Sequence, residues 1–380
     1  MKKILIAAVI AALISSNAMA IEPVGEGALT IPVPSALLME KTTGEVIYEK
    51  DAHTKRAPAS VTKVMTLLLV MEEMDAGRLT EDDIVTCSSH AASMGGSQIW
   101  LEEGETMTVS DMLKAVSVVS ANDCAVALAE HIAGSEESFV QRMNARAAEL
   151  GMVDTHFVDC TGLTDDPAHL TTAYDIALMS RELLKYDKIK KYTTIWMDKL
   201  RNGESELVNT NRLVRFYKGI TGLKTGFTPE AMYCLSATAE RDGTEYIAVV
   251  MHGATSDERF ESAKTLLNFA FANYALCPLR SPKPLPPVRV SLGTAESVQP
   301  VYGGEEGLLM EKSKLGELNY EFNLPDSLDA PVAEGEALGE MIVYSNGTEL
   351  SRVPLLAGGE VKKLTVFGLY GKMLSRLFGG

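Results

Sequence analysis

Residues 57–71 read Ala57-Pro58-Ala59-Ser60-Val61-Thr62-Lys63-Val64-Met65-Thr66-Leu67-Leu68-Leu69-Val70-Met71. An extended, proline-containing segment passes into a strongly apolar helix, and a serine and a lysine stand at the junction. On a helix, residues three apart lie on one face, one turn apart. Lys63 can therefore set its amine beside the Ser60 hydroxyl. A serine hydroxyl becomes an effective nucleophile when a neighbouring base takes its proton. A lysine serves as that base when burial or nearby cations lower its pKa, and Val61, Val64 and the aliphatic run supply apolar surroundings. The N–H groups of the helix start suit a developing oxyanion. Taken alone, the stretch reads more simply as a serine N-cap on a helix over 60–76 that Gly77 ends. Two later motifs change that reading.

Ser120-Ala121-Asn122 joins a helix starting at a Ser110 cap to a second helix over 123–133. By itself it is an ordinary interhelix turn. In a cleft it offers a hydroxyl to relay a proton and an amide to hold a carbonyl or orient Lys63. Lys224-Thr225-Gly226 precedes two alternating runs, 232–238 and 245–251, parted by Arg241-Asp242-Gly243. That pattern predicts a strand beside a hairpin. Such a strand presents a lysine, a hydroxyl and a backbone edge that Gly226 leaves approachable. Arg259 opens a helix running to 273 and is suited to a substrate carboxylate.

The 380 residues carry a net charge of −16, which argues against nucleic acid as a partner. Lys2, Lys3, the apolar run 4–14 and Ala18-Met19-Ala20 form a secretion signal by pattern. The mature chain is expected outside the cytoplasm. The five cysteines are odd in number, lack a C-x-x-C pair and read mostly as buried small hydrophobes. The histidines show no metal-ligand spacing, and no G-x-S-x-G elbow or cofactor motif occurs, so neither metal nor organic cofactor is expected.

A hairpin is expected over 35–49, turning at Thr42-Thr43-Gly44, and loops over 85–104 and 155–172. Helices are expected over 136–150 and, capped by Thr171 or Thr172, over 173–185. Pro278, Pro282, Pro284, Pro286 and Pro287 mark a stiff joint. The expected organisation is a signal over 1–20, a catalytic domain over 21–277, a linker over 278–287, a small β-sandwich-like domain over 288–360, and a C-terminal helix over 361–380. The clearest turn in the β-domain is Asn346-Gly347. In the tail, Val366, Leu369, Tyr370, Met373, Leu374 and Leu377 share one face, and from 361 onward the charged residues are all basic. This suits an amphipathic helix on an anionic membrane surface.

With Ser60-Val61-Thr62-Lys63, Ser120-Ala121-Asn122 and Lys224-Thr225-Gly226 in that order, the chain resembles the low-molecular-mass penicillin-binding proteins, serine-type D-alanyl-D-alanine carboxypeptidases. The resemblance implies an α+β catalytic domain, an antiparallel sheet flanked by helices with an all-helical lobe, followed by the small all-β domain. It implies removal of the terminal D-alanine from peptidoglycan stem peptides through an acyl-enzyme, and acylation by β-lactams. It makes Ser60 the nucleophile, Lys63 its base, Ser120 and Lys224 the proton shuttle, and Asn122 the peptide holder. The N–H groups of Ser60 and Phe227 would form the oxyanion hole, and Thr225 and Arg259 would bind the terminal carboxylate. Phe227 departs from members with a polar residue after that glycine.

A class A-like β-lactamase shares the three motifs but needs a Glu-x-x-Leu-Asn element to activate the deacylating water. The interval from Asn122 to Lys224 lacks it; Asp154 and Asp159 lie there without a following Leu-Asn. A non-catalytic β-lactam or peptide sensor would signal through transmembrane helices, which the sequence is not expected to form.

Overall fold

The computed structural model describes residues 21–25, 27 and 29–370. The signal expected at 1–20 and the end of the tail, 371–380, lie outside the described residues. The chain divides into two compact units, Ile21–Asn273 and a second beginning at Tyr274.

The first unit opens with β1 (Ser35–Glu40) and β2 (Val46–Lys50). The Glu40 carboxylate folds the turn between them by accepting the Thr42 and Thr43 N–H groups at 2.9 and 2.7 Å. Helix α1 (Lys63–Asp75) follows, and every residue from Lys63 to Met71 is buried. A helix that is apolar all round belongs at the centre of a unit. Helices α2 (Val109–Val118), α3 (Asn122–Ala133) and α4 (Glu136–Glu149) form the helical lobe. Thr108, not Ser110, caps α2. Thr108 has the extended backbone a cap requires and accepts the Asp111 N–H, whereas Ser110 lies within the first turn and bonds the Tyr192 hydroxyl. Helix α5 (Ala173–Leu183) is capped by Thr172 through the Asp175 N–H.

Strands β3 (Ile220–Thr228), β4 (Met232–Arg241) and β5 (Thr244–Gly253) precede helix α6 (Ser256–Asn273). The five strands form one antiparallel sheet in the order β2-β1-β5-β4-β3. β5 is buried along nearly its whole length, as expected of a strand covered on both faces; α5 and α6 pack against it. The sequence order therefore leaves β3, with the Lys-Thr-Gly motif, as an outer strand.

In the second unit Tyr274–Pro278 pairs with Gly307–Glu311. The division thus falls at Asn273/Tyr274, slightly ahead of the boundary expected at 277, because that strand has already joined the second unit's pairing. The largest sheet orders Pro300–Tyr302, Thr348–Ala357, Ala337–Ser345 and Leu318–Asn323. Its long hairpin closes at Asn346 and Gly347, both with positive φ. The tail helix begins later than expected. Val361 is buried and exchanges both backbone bonds with Val332, and Leu364 N–H bonds the Leu292 carbonyl. Residues 361–364 are thus part of the β unit, and helix occupies 366–370.

Candidate active site

Ser60 does not cap a helix. It sits inside a 3-10 turn, Ala59–Thr62, that leads into α1 and has no side-chain cap. Ala59 is left-handed at φ +48°, an uncommon conformation for a residue with a Cβ. Two neighbours hold the turn. His169 accepts the Val158 N–H at Nδ1 (3.0 Å), so its Nε2–H faces and donates to Thr62 Oγ1 (2.8 Å). Thr62 in turn donates to the Ala59 carbonyl (2.9 Å). Burial pushes the His169 pKa below the usual histidine value, in keeping with a neutral ring in that relay.

Lys63 is fully buried, and its Nζ reaches three acceptors: Asn122 Oδ1 at 2.5 Å, the Thr161 carbonyl at 2.8 Å and Ser60 Oγ at 3.0 Å. An ammonium has three hydrogens for them. A neutral amine has two, for the oxygens of Asn122 and Thr161, which leaves its lone pair for the Ser60 hydroxyl. Burial lowers the Lys63 pKa to about 8, against a smaller upward pull from Cys160, Asp159 and Asp123. The neutral form is therefore within reach near physiological pH.

Asn122 is held by its own Nδ2 donating to the Gly95 carbonyl (2.8 Å). Ser120, two residues earlier, is buried at φ +67°, and its Oγ has no hydrogen-bond partner among the described residues. Lys224 is buried and donates to the Thr225 carbonyl at 2.8 Å. Burial drives its pKa well below the lysine range, and the nearby cations Lys63 and Arg259 push the same way. Thr225 Oγ1 lies 2.7 Å from Thr210 Oγ1. A Cβ on Gly226 would stand 2.7 Å from the Pro58 carbonyl oxygen and 3.1 Å from the Ser60 nitrogen, so only glycine lets β3 pack this closely on the Ser60 turn. Phe227 is half-exposed, with its ring on Tyr233 at 4.4 Å. Arg259 is buried and donates to the Gly226 and Cys234 carbonyls at 3.1 and 3.3 Å; desolvation lowers its pKa to about 10.

Ser60, Lys63 and Asn122 thus meet directly. Lys224 joins them through its field, Gly226 by backbone packing, and Arg259 through the Gly226 carbonyl. The loop expected over 155–172 supplies the Thr161 carbonyl, a contact with Lys63 that no sequence pattern announces. Asp159 builds it, its carboxylate accepting N–H groups from Thr161 (2.7 Å), Gly162 (2.5 Å) and Thr164 (2.9 Å). Those bonds engage Asp159, one of the two acidic residues that lie in the interval where a deacylating glutamate would stand. The available signal was Asp159-Cys160-Thr161-Gly162, an acid and a glycine three apart, which is turn chemistry. All five cysteines are buried and free, as the small-hydrophobe reading expected.

A serine in contact with a buried lysine, a second desolvated lysine and an outer strand on an α+β scaffold match the class of serine-lysine acyl-transfer enzymes that penicillin acylates. Residues 22–255 match the family described as D-alanyl-D-alanine carboxypeptidase, and residues 285–363 match the penicillin-binding protein 5 C-terminal domain. The chain is 43% identical over 334 residues to D-alanyl-D-alanine carboxypeptidase DacF of Bacillus subtilis, covering 87% of this chain and 86% of that one. Penicillin-binding protein 5 from Haemophilus influenzae superposes with a TM-score of 0.71 at 28% identity, over 88% of this chain and 99% of that one. Penicillin-binding protein D2 from Listeria monocytogenes, solved in an ampicillin-bound form, gives a TM-score of 0.59 at 31% identity over 64% of this chain and 99% of that one. The chain belongs to the D-alanyl-D-alanine carboxypeptidase family, the serine peptidases of this class.

Proposed function

We propose that Ser60 attacks the carbonyl of the penultimate D-alanine of a peptidoglycan pentapeptide stem while Lys63 takes the Ser60 proton. The C–N bond breaks, and the departing amine of the terminal D-alanine takes up a proton relayed through Ser120 and Lys224. Water then attacks the ester by the reverse route, and Ser60 recovers its proton. The observation that carries this reading is the 3.0 Å contact of Lys63 Nζ with Ser60 Oγ, in a site where Asn122 and Thr161 occupy the other amine hydrogens. The Ser60 and Phe227 N–H groups form the oxyanion site, and Gly226 keeps the Ser60 nitrogen approachable. Thr225 takes the terminal carboxylate in the positive field of Lys224 and Arg259. A β-lactam would acylate Ser60 in the same way, with its leaving amine tethered to the acyl group so that it cannot diffuse away.

The location is read as extracytoplasmic from the signal pattern at 1–20. Among the described residues no helix is long and apolar enough to cross a membrane. Peripheral contact through the tail is supported by Val366, Phe367 and Tyr370, all exposed at its start, and by its basic charge.

The test is release of D-alanine from a diacetyl-Lys-D-Ala-D-Ala peptide beside a Ser60→Ala control, with labelled penicillin as a second probe. Release and labelling should both vanish in the control. Labelling without release in the parent chain would leave the acylation chemistry standing and remove the carboxypeptidase activity.

A further inference from the structure

Besides Ser60, the Lys63 amine has two acceptors, and a different loop secures each. Asn122 Oδ1 is one, and its amide is held by the Gly95 carbonyl at 2.8 Å, shortly after a single helical turn, Ser89–Ala92. The Thr161 carbonyl is the other, in the loop built on Asp159. The amine meets the Ser60 hydroxyl in a productive direction only while both acceptors keep their places.

One pair of side chains joins the two loops. His90 lies in the helical turn, and its Nε2–H donates to Glu136 Oε2 at 2.7 Å. Glu136 opens α4, and its other oxygen, Oε1, accepts the Cys160 N–H at 3.1 Å, one residue before Thr161. Thr66 Oγ1, one turn after Lys63 on α1, holds the Cys160 carbonyl at 2.6 Å. On the far side, Ser93 Oγ donates to the His90 carbonyl at 2.7 Å and the Met94 N–H to the Ala91 carbonyl at 3.2 Å, which carries the fixed turn up to Gly95. The contacts close a ring that runs from Lys63 through Asn122, Gly95, His90, Glu136 and Thr161 back to Lys63. A carboxylate in the first turn of a helix is favoured by the helix dipole, but the exposed Glu137 beside it serves that end equally. The Glu136 side chain is only 13% exposed and commits both oxygens to other segments. The hydrogen bond to Glu136, and then the fields of Glu136, Glu130 and Glu137, raise the His90 pKa against partial burial. Burial first, and Glu136 after it, hold the Cys160 thiol well above the usual cysteine range, so it stays neutral beside the pair.

We propose that His90 and Glu136 form a positioning clasp for the base: by tying together the loops that secure both of its acceptors, the pair keeps the Lys63 amine aimed at Ser60. Neither residue touches substrate. Glu136 acts on Lys63 through the Cys160-Thr161 backbone, and His90 acts through Glu136. The assignment rests on the reading in which Lys63 takes the Ser60 proton and adds to it two residues that hold the base in place.

The test follows D-alanine release from a diacetyl-Lys-D-Ala-D-Ala peptide, and acylation by labelled penicillin, as functions of pH in the parent, Glu136→Ala, Glu136→Gln, His90→Ala and the double alanine variant. In Glu136→Ala, kcat should fall about tenfold with KM within about twofold, because the base is misplaced while the substrate contacts stand. The rising limb of kcat/KM should also move below its parental place near pH 8, since the Lys63 ammonium loses a fixed acceptor. In Glu136→Gln the amide oxygen can accept the same Cys160 N–H, so kcat should return to within about threefold of the parent. His90→Ala should cost about threefold and move the limb the same way, and the double variant should be no slower than Glu136→Ala alone, because His90 works through Glu136. Unchanged kcat in either alanine variant, a loss with an unmoved limb, or additive losses in the double variant overturns the clasp. His90 is half-exposed, so His90→Ala keeps the proposal open to refutation if Glu136→Ala does not fold. If the parent releases no D-alanine, the carboxypeptidase reading falls, and penicillin acylation, which uses the same amine, decides the clasp separately: the same order of variants upholds it and equal rates overturn it.

Discussion

The cleft and the β unit follow different rules. From Tyr274 onward, Ser345 is the one polar residue buried among the described residues, and strand Leu318–Asn323 alternates between half-buried and exposed positions. The Ser60 cleft buries Lys63, Lys224 and Arg259 and holds Ala59 and Ser120 in left-handed backbone. Buried cations and strained backbone each cost stability. Their concentration in one place marks where the fold trades stability for chemistry. The β unit has left-handed backbone only at Leu292 and at the hairpin turn residue Asn346 besides its glycines, and it buries no lysine or arginine among the described residues; it is built for shape.

Four substitutions press on this contrast. The largest effect on activity is expected from Lys63→Met, which removes the proposed base: D-alanine release should fall about 10³-fold, measured by coupled assay. Activity within tenfold of the parent would shift the base role to Lys224. Next is Gly162→Ala. Gly162 has φ +77°, and a Cβ there would stand 1.9 Å from the Ala59 carbonyl oxygen. Urea denaturation should show a loss of about 3 kcal/mol or more, together with slow penicillin acylation. Unchanged stability would mean that the Ser60 turn can move aside.

Asp159→Asn has a smaller effect with a distinctive signature. The carboxylate orders the Thr161 loop and raises the Lys63 pKa. In the parent, kcat/KM should rise with pH through about 8 as free Lys63 loses its proton. Without the Asp159 charge that limb should move to lower pH, while kcat falls about tenfold as the Thr161 carbonyl loses its fixed place. A limb that stays near 8 would separate Asp159 from the base. The smallest effect on activity belongs to Met341→Ala in the β unit, a fully buried side chain. It should cost that unit about 2–5 kcal/mol by urea melting and leave D-alanine release from a soluble peptide within twofold. A large loss of activity there would end the division of labour.

Much of the frame was legible because it rests on local pattern. The apolar run after Lys63, the hairpin turns and the Thr172 cap are short-range signals, and the structure shows each. Ser60 and Lys63 were legible as a pair because they lie one helical turn apart. The Thr161 carbonyl and the His169–Thr62 relay were not, since each joins residues about a hundred positions apart and leaves no periodic trace. The start of the tail helix was misplaced for a related reason. The helix was expected from Val361, ahead of the apolar stripe that starts at Val366, but backbone pairing with Val332 claims Val361 first, and tertiary pairing overrides local pattern. The role of Arg259 shows the same limit: its helix was legible, its bond to the Gly226 carbonyl was not.

β3 is an outer strand with an unevenly guarded rim. Thr193 Oγ1 bonds the Thr221 carbonyl at 2.6 Å, and Asn211 Nδ2 bonds the Gly222 carbonyl at 3.1 Å. An open sheet margin is a template for stray chains, and an enzyme that docks extended peptides must keep some of it available. These two side chains shorten the template. A visiting chain can zip onto the few residues around Lys224-Thr225-Gly226 and then runs into a seal. Such a margin favours a short free peptide end over a long strand of another protein, so the guard on β3 serves both solubility and the choice of substrate.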